Sequence, residues 1–172
     1  MTKSEIRKLM FDKRNQASLD DLKISSAEII RQIQENQNYQ QSSLVAIFYP
    51  MEREVNLLGL LNDQKRFCFP KVTKEGLHFY LYDPDQTFVK SKFGVMEPEN
   101  GLIVDDEIDF MCAPALAISK GLYRVGYGKG YYDYFLTNHR PKHVVGVIFK
   151  FQELTEIPYD SFDQKLDDYI KG

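Results

Sequence analysis

The sequence predicts an α/β fold, a layered single domain over residues 1–172 with a mainly parallel or mixed central sheet flanked by helices. Three observations predict it. Short apolar runs rich in β-branched residues recur along the chain, and they are continuous rather than alternating, as strands buried on both faces are. Segments with helical periodicity and plausible N-caps lie before and between them. Strands alternating with helices form such layers, and 172 residues suffice for one core.

The elements follow in order. Thr2, with Glu5 three residues later, reads as a capping box, and the helix after it puts Ile6, Leu9 and Met10 on one face. Lys3, Arg7 and Arg14 form a second stripe beside that face. The stripe is either a solvated basic face or a row of cations aimed at phosphate, and the segment alone does not separate these. Ser18 caps a second helix over roughly residues 19–36, with Leu22, Ile29, Ile30 and Ile33 inward. Residues 44–49 make a buried strand that Pro50 ends. Asn56 caps a short helix over residues 57–61, a second strand spans 66–72 with Pro70 breaking it late, and 77–82 is a third. Residues 83–107 lack periodicity and are rich in Pro, Gly, Asp and Glu, so they read as a long functional loop. Residues 108–113 and 144–149 are further buried strands, and the tail from 150 is polar and acidic. In such folds the ligand crevice lies beyond the carboxyl ends of the strands.

Composition narrows the function classes. A net charge of −3 argues against a general nucleic-acid binder. No apolar run has membrane-spanning length and no signal peptide opens the chain, which points to the cytoplasm. Cys68 and Cys112 fall in apolar runs and read as buried free thiols. His78, His139 and His143 lack zinc-site spacing with a cysteine.

The most informative segment is Arg124-Val125-Gly126-Tyr127-Gly128-Lys129-Gly130-Tyr131-Tyr132-Asp133. Glycines at this density let backbone N–H groups approach an anion, and Arg124 and Lys129 add positive charge. Helix-compatible residues follow directly, so the orphan N–H groups of a helix start face the same place. Asp133 adds a carboxylate within the first helical turn. Phosphate, cations and one acid together indicate a nucleotide with a divalent metal. The spacing is neither a P-loop nor the dinucleotide fingerprint, and a glycine-rich run can also be only a tight connection.

With Lys3-x-x-x-Arg7, Tyr49-x-x-x-x-Glu54, Phe69-Pro70-Lys71, Gly94-Val95-Met96-Glu97-Pro98, the ten-residue segment above and Phe149-Lys150-Phe151-Gln152, the whole chain resembles the 5-formyltetrahydrofolate cyclo-ligase family. The resemblance implies an ATP- and Mg²⁺-dependent conversion of 5-formyltetrahydrofolate to 5,10-methenyltetrahydrofolate with release of ADP and phosphate. It implies Glu54, Lys129 and Arg124 as catalytic residues. It also implies ATP contacts from Lys3, Arg7, Arg124, Gly126, Gly128, Lys129, Gly130, Tyr131 and Tyr132. Folate contacts would come from Tyr49, Glu54, Tyr127, Gly128, Lys129, Gly130 and Tyr131, and magnesium would be held by Asp133 and Asp167. The expected partners are these small molecules, with neither nucleic acid nor membrane, and the expected state is a monomer.

The chain departs from the family's common pattern in places. Tyr127 stands where many members carry Arg. Ile118, Ser119 and Leu122 replace a Phe-Asp pair and a glycine, with Gly121 one place away, so the loop there is expected to turn differently. Phe162 stands where a histidine is usual. Two other readings compete: a divergent ATP-binding relative acting on another carrier or amide, and a module that stacks and neutralises single-stranded RNA through residues 123–134.

Overall fold

The computed structural model describes residues 1–172. Helix α1 (Lys3–Gln16) starts where Thr2 Oγ1 accepts the Glu5 N–H, and it buries Ile6, Met10 and Arg14. Helix α2 (Leu19–Glu35) is capped by Ser18 and buries Leu22, Ser26, Ile29 and Ile33. A short α3 (Gln37–Gln40), capped by Asn36, leads into strand β1 (Leu44–Ala46). A 3₁₀ turn at Leu58–Asn62 precedes β2 (Arg66–Thr73), which returns as β3 (Gly76–Leu81). Next come β4 (Phe88–Lys90), β5 (Met96–Pro98), β6 (Phe110–Pro114), β7 (Ala117–Ser119) and β8 (Arg124–Val125). The chain ends through α4 (Tyr131–Asn138), β9 (His143–Ile148), β10 (Glu153–Leu154) and β11 (Asp168–Lys171).

The central six-stranded sheet has the order β11-β9-β6-β1-β2-β3. Every pairing in it is parallel except that of β2 with β3, so the sheet is mixed. Period-2 alternation divides the strands between two cores. Val45, Ile47, Phe67, Phe69 and Cys112 pack with Ile29 and Ile33 of α2, whereas Leu44, Ala46, Cys68 and Met111 pack with Phe135 and Leu136 of α4. Cys68 and Cys112 therefore point to opposite faces of the sheet, and both are buried free thiols. A third cluster seats Ile6 and Met10 of α1 on Ala117 and Val125 of a small three-stranded sheet, β10-β7-β8.

Three expectations are corrected here. Residues 83–107 are not one structureless loop, because β4 and β5 pair as an antiparallel hairpin inside that span. Three-residue strands are too short to show a period. Pro70 does not break β2: it pairs with Phe79, and β1 has already ended on the side where its missing N–H would point. The acidic tail supplies the edge strand β11, in which only Ile170 is buried. The turn between β7 and β8, where Gly121 is displaced, has its left-handed residue at Leu122 (φ 71°).

Candidate active site

One cleft of about 1050 Å³ opens at the carboxyl ends of β1, β2 and β6. Its floor is the end of β1 and the turn after it, including Tyr49 and Glu54. Pro70, Val72 and the β4–β5 hairpin form one wall. The opposite wall is the glycine-rich segment with the start of α4, and Lys3 and Arg7 of α1 close the side. Every sequence-predicted site residue lines this cleft except Asp167.

The loop's shape follows from its glycines. Gly128 has φ 98°, and a side chain there would press against the Arg7 guanidinium at 3.3 Å. Gly130 has φ 70° and caps α4 with no side-chain hydrogen bond. The first N–H groups of that helix are thus left for a ligand. Arg7 holds the loop from α1, its Nε donating to Gly126 O at 2.9 Å. Arg124 lies buried beneath it, with Nε donating to Pro114 O at 3.0 Å and the guanidinium over the Tyr132 ring at 5.1 Å. Burial pulls the Arg124 guanidinium below its usual range, against the opposing pull of Asp133. Lys129 Nζ lies 5.9 Å from the centre of the Phe93 ring on the facing hairpin. Arg7, Arg124 and Lys129 make no ion pair with any carboxylate. Uncompensated cations, one of them buried, create a field that favours an anion.

Glu54 is buried and fully engaged. Its Oε1 accepts the Met51 N–H at 2.9 Å and its Oε2 accepts the Tyr127 hydroxyl at 2.9 Å. That hydroxyl in turn accepts Arg14 Nη1 at 2.9 Å, and Arg14 Nη2 is 3.8 Å from Glu54 Oε2. Burial, then the Glu54 charge, pushes the Tyr127 phenol above its usual range, so it remains a donor. Tyr127 therefore bridges Arg14 and Glu54 through its hydroxyl, and the Arg14 charge is set against that of Glu54. The Arg14 Nε has no partner. Sequence reasoning saw Arg14 only as part of a basic stripe, since nothing local shows that it turns inward to a residue 40 positions away.

The acidic residues fall differently from expectation. Asp133 lines the cleft with Oδ1 accepting the Gln164 N–H at 3.0 Å, which leaves Oδ2 open. Asp167 lies at the opposite end of the sheet, where Oδ2 accepts the Val144 N–H at 2.7 Å and Oδ1 pairs with Arg140 at 3.1 Å. The tail carboxylates that do reach the cleft are Asp160 and Asp163, both close to Lys3. Counting acidic positions along an irregular tail could not distinguish them. Phe162, between these two, also faces the cleft and is 80% exposed. No group of three or more His, Cys, Asp or Glu forms a metal cage.

Fold and cleft together define an α/β protein with one large anion-receiving cleft beyond its parallel strands. The model of the 5-formyltetrahydrofolate cyclo-ligase family matches residues 1–171. Among relatives bearing the name 5-formyltetrahydrofolate cyclo-ligase, that of Mycoplasma genitalium is 30% identical across 96% of this chain and 94% of its own. That of Haemophilus influenzae is 27% identical across 77% of each. The solved structure of Aquifex aeolicus 5,10-methenyltetrahydrofolate synthetase superposes with a TM-score of 0.88 at 31% identity, covering 99% of this chain and 90% of the other. The 5,10-methenyltetrahydrofolate synthetase of Mycoplasma pneumoniae, 24% identical with a TM-score of 0.78, shares the fold. The chain belongs to the 5-formyltetrahydrofolate cyclo-ligase family, and so to a family of enzymes.

Proposed function

We propose that residues 1–172 form one catalytic domain that closes 5-formyltetrahydrofolate to 5,10-methenyltetrahydrofolate at the expense of ATP. The observation that carries this reading is the convergence of Arg7, Arg124 and Lys129, unpaired, on a glycine-rich helix start inside the cleft. In a chain of net charge −3, such a concentration of free cations calls for a polyanionic ligand. Enclosure within a cleft, rather than along an open groove, favours small molecules over single-stranded RNA.

In the proposed reaction the formyl oxygen attacks the γ-phosphorus, and the bond from that phosphorus to the ADP oxygen breaks. N10 then attacks the activated formyl carbon and gives up its proton. Phosphate departs as the N5–carbon double bond forms. Phosphoryl transfer demands positioning and charge neutralisation more than a special nucleophile. Lys129 and Arg124 neutralise the transferred group, and the loop amides cradle its oxygens. Arg7 and Lys3 approach from α1. Glu54, fixed by the Met51 N–H, Tyr127 and Arg14, faces the reacting end of the folate and favours the cation that develops on ring closure. Tyr49, packed on Phe88 at 5.6 Å, offers a ring face beside it.

The donor set suits magnesium. Hard carboxylate oxygens from one or two residues, completed by phosphate oxygens, are its ordinary ligands. Asp133 and Asp163 would hold the ion, and Asp167 would not. When bound, it would neutralise charge on the β- and γ-phosphates.

The test is a coupled assay for ADP and methenyl product. Equal amounts of each are expected, and only when 5-formyltetrahydrofolate, ATP and Mg²⁺ are all present. ADP release that ignores the folate would overturn the proposal and favour a divergent relative acting on another substrate.

A further inference from the structure

Away from the cations, the cleft holds a buried carboxylate with no counter-charge. Glu97 is the middle residue of β5, opposite Val89 of β4, and is 8% exposed. Its Oε2 accepts the Val72 N–H at 2.9 Å, which docks the hairpin against β2. Its Oε1 takes no hydrogen bond from the protein, and it is not sealed in the interior, because Glu97 lines the cleft. No lysine, arginine or histidine pairs with it. A buried carboxylate is costly unless its lone pairs are satisfied, and most of its acceptor capacity is unused. The walls next to it are Pro70, Val72 and Val95, which suit the face of a flat ring.

We propose that Glu97 is a specificity-determining residue that reads the N–H edge of the substrate's pyrimidinone ring, its 2-amino group and adjacent ring N–H. The inference rests on the folate reading above and deepens it. The charge distribution decides which part of the ligand lies here. Phosphates are drawn to the loop and α1, where Arg7, Arg124 and Lys129 converge, and a ligand carboxylate would be repelled by Glu97. The remaining polar portion of a reduced folate is the pterin, whose edge carries two neighbouring donors. A site built to bond such an edge rejects a ring that lacks it, because the carboxylate is then left buried and unpaired.

The experiment compares 5-formyltetrahydrofolate with its 2-desamino analogue in the wild-type protein and in Glu97→Gln. Glutamine retains an acceptor for the Val72 N–H, and melting temperature checks the fold. Wild type is expected to show a KM for the analogue about 10- to 100-fold above that for the natural substrate. Glu97→Gln is expected to raise the KM for 5-formyltetrahydrofolate by a similar factor, to bring the two substrates close together, and to leave the KM for ATP unchanged. A wild type that does not discriminate, or a variant that discriminates as wild type does, overturns the assignment. The wild-type comparison needs no variant to fold. Calorimetric titration with 6-methylpterin separates this proposal from the reaction itself. Binding that weakens in Glu97→Gln supports the assignment even if turnover of 5-formyltetrahydrofolate is absent. Equal binding to both proteins, or none to wild type, overturns it.

Discussion

Removing one oxygen from Tyr127 tests the hydrogen-bonded bridge between Arg14 and Glu54. In Tyr127→Phe the ring keeps its packing on Phe11, 5.9 Å away, but the hydroxyl between Arg14 and Glu54 is gone. Both lost hydrogen bonds involve a charged partner, and such a bond contributes about 1.5–3 kcal/mol. The losses do not simply add, because Arg14 Nη2, now 3.8 Å from Glu54, can close part of the gap. The expected net destabilisation is therefore about 1.5–3 kcal/mol, which for a chain of this length lowers Tm by roughly 3–12 °C. Glu54 also loses its lateral restraint, so kcat with 5-formyltetrahydrofolate should fall by about one to two decades while ATP affinity holds. Differential scanning calorimetry and the coupled assay give the two readouts. In a Glu54→Gln background the acceptor is neutral while the bond from Arg14 stays charge-assisted, so the same substitution should cost less than it does in wild type. A Tyr127→Phe protein with wild-type Tm and kcat/KM, or strict additivity with Glu54→Gln, would refute the bridge.

Lys129→Ala should weaken ATP use by about one to two decades with Tm unchanged, since the side chain makes no hydrogen bond or ion pair within the protein. Arg124→Ala should lose Tm as well, because it leaves Pro114 O without its donor and uncovers Tyr132; nucleotide titration calorimetry and thermal melts separate the two. Asp133→Asn should move the Mg²⁺ requirement to higher concentration, whereas Asp167→Asn should leave the Mg²⁺ titration of activity as in wild type, its carboxylate serving Val144 and Arg140. His78 lies between Asp105, 2.6 Å away, and Glu75, 3.1 Å away, and the Asp105 hydrogen bond chiefly raises its imidazole pKa. A raised folded-state pKa stabilises fully below the unfolded value of about 6.5 and is lost as pH rises through the folded value. Urea midpoints from pH 5 to 8 should therefore fall more steeply for wild type than for His78→Gln.

The parts of this protein that the sequence alone determined are those whose signal is local. Thr2 and Ser18 announced α1 and α2 because a side-chain oxygen bonds an N–H only three residues on. The runs holding β1, β6 and β9 were legible because strands buried on both faces must be apolar at every position. The glycines and cations of residues 124–130 advertised an anion site because backbone approach and charge are properties of residue type. Tertiary structure decided what depends on distance across the fold. The β4–β5 hairpin and β11 are too short or too exposed to carry a period, and pairing with a neighbour defines them. Asp163 rather than Asp167 reaches the cleft because the tail's path is set by what it packs against, not by spacing. Arg14 becomes a partner of Glu54 only where α1 crosses the glycine-rich loop. Glu97 faces the cleft with one oxygen free only once β5 docks beside β2 and the Val72 N–H takes the other. Local propensity places donors and acceptors along a chain, but only packing decides which of them are left facing a ligand.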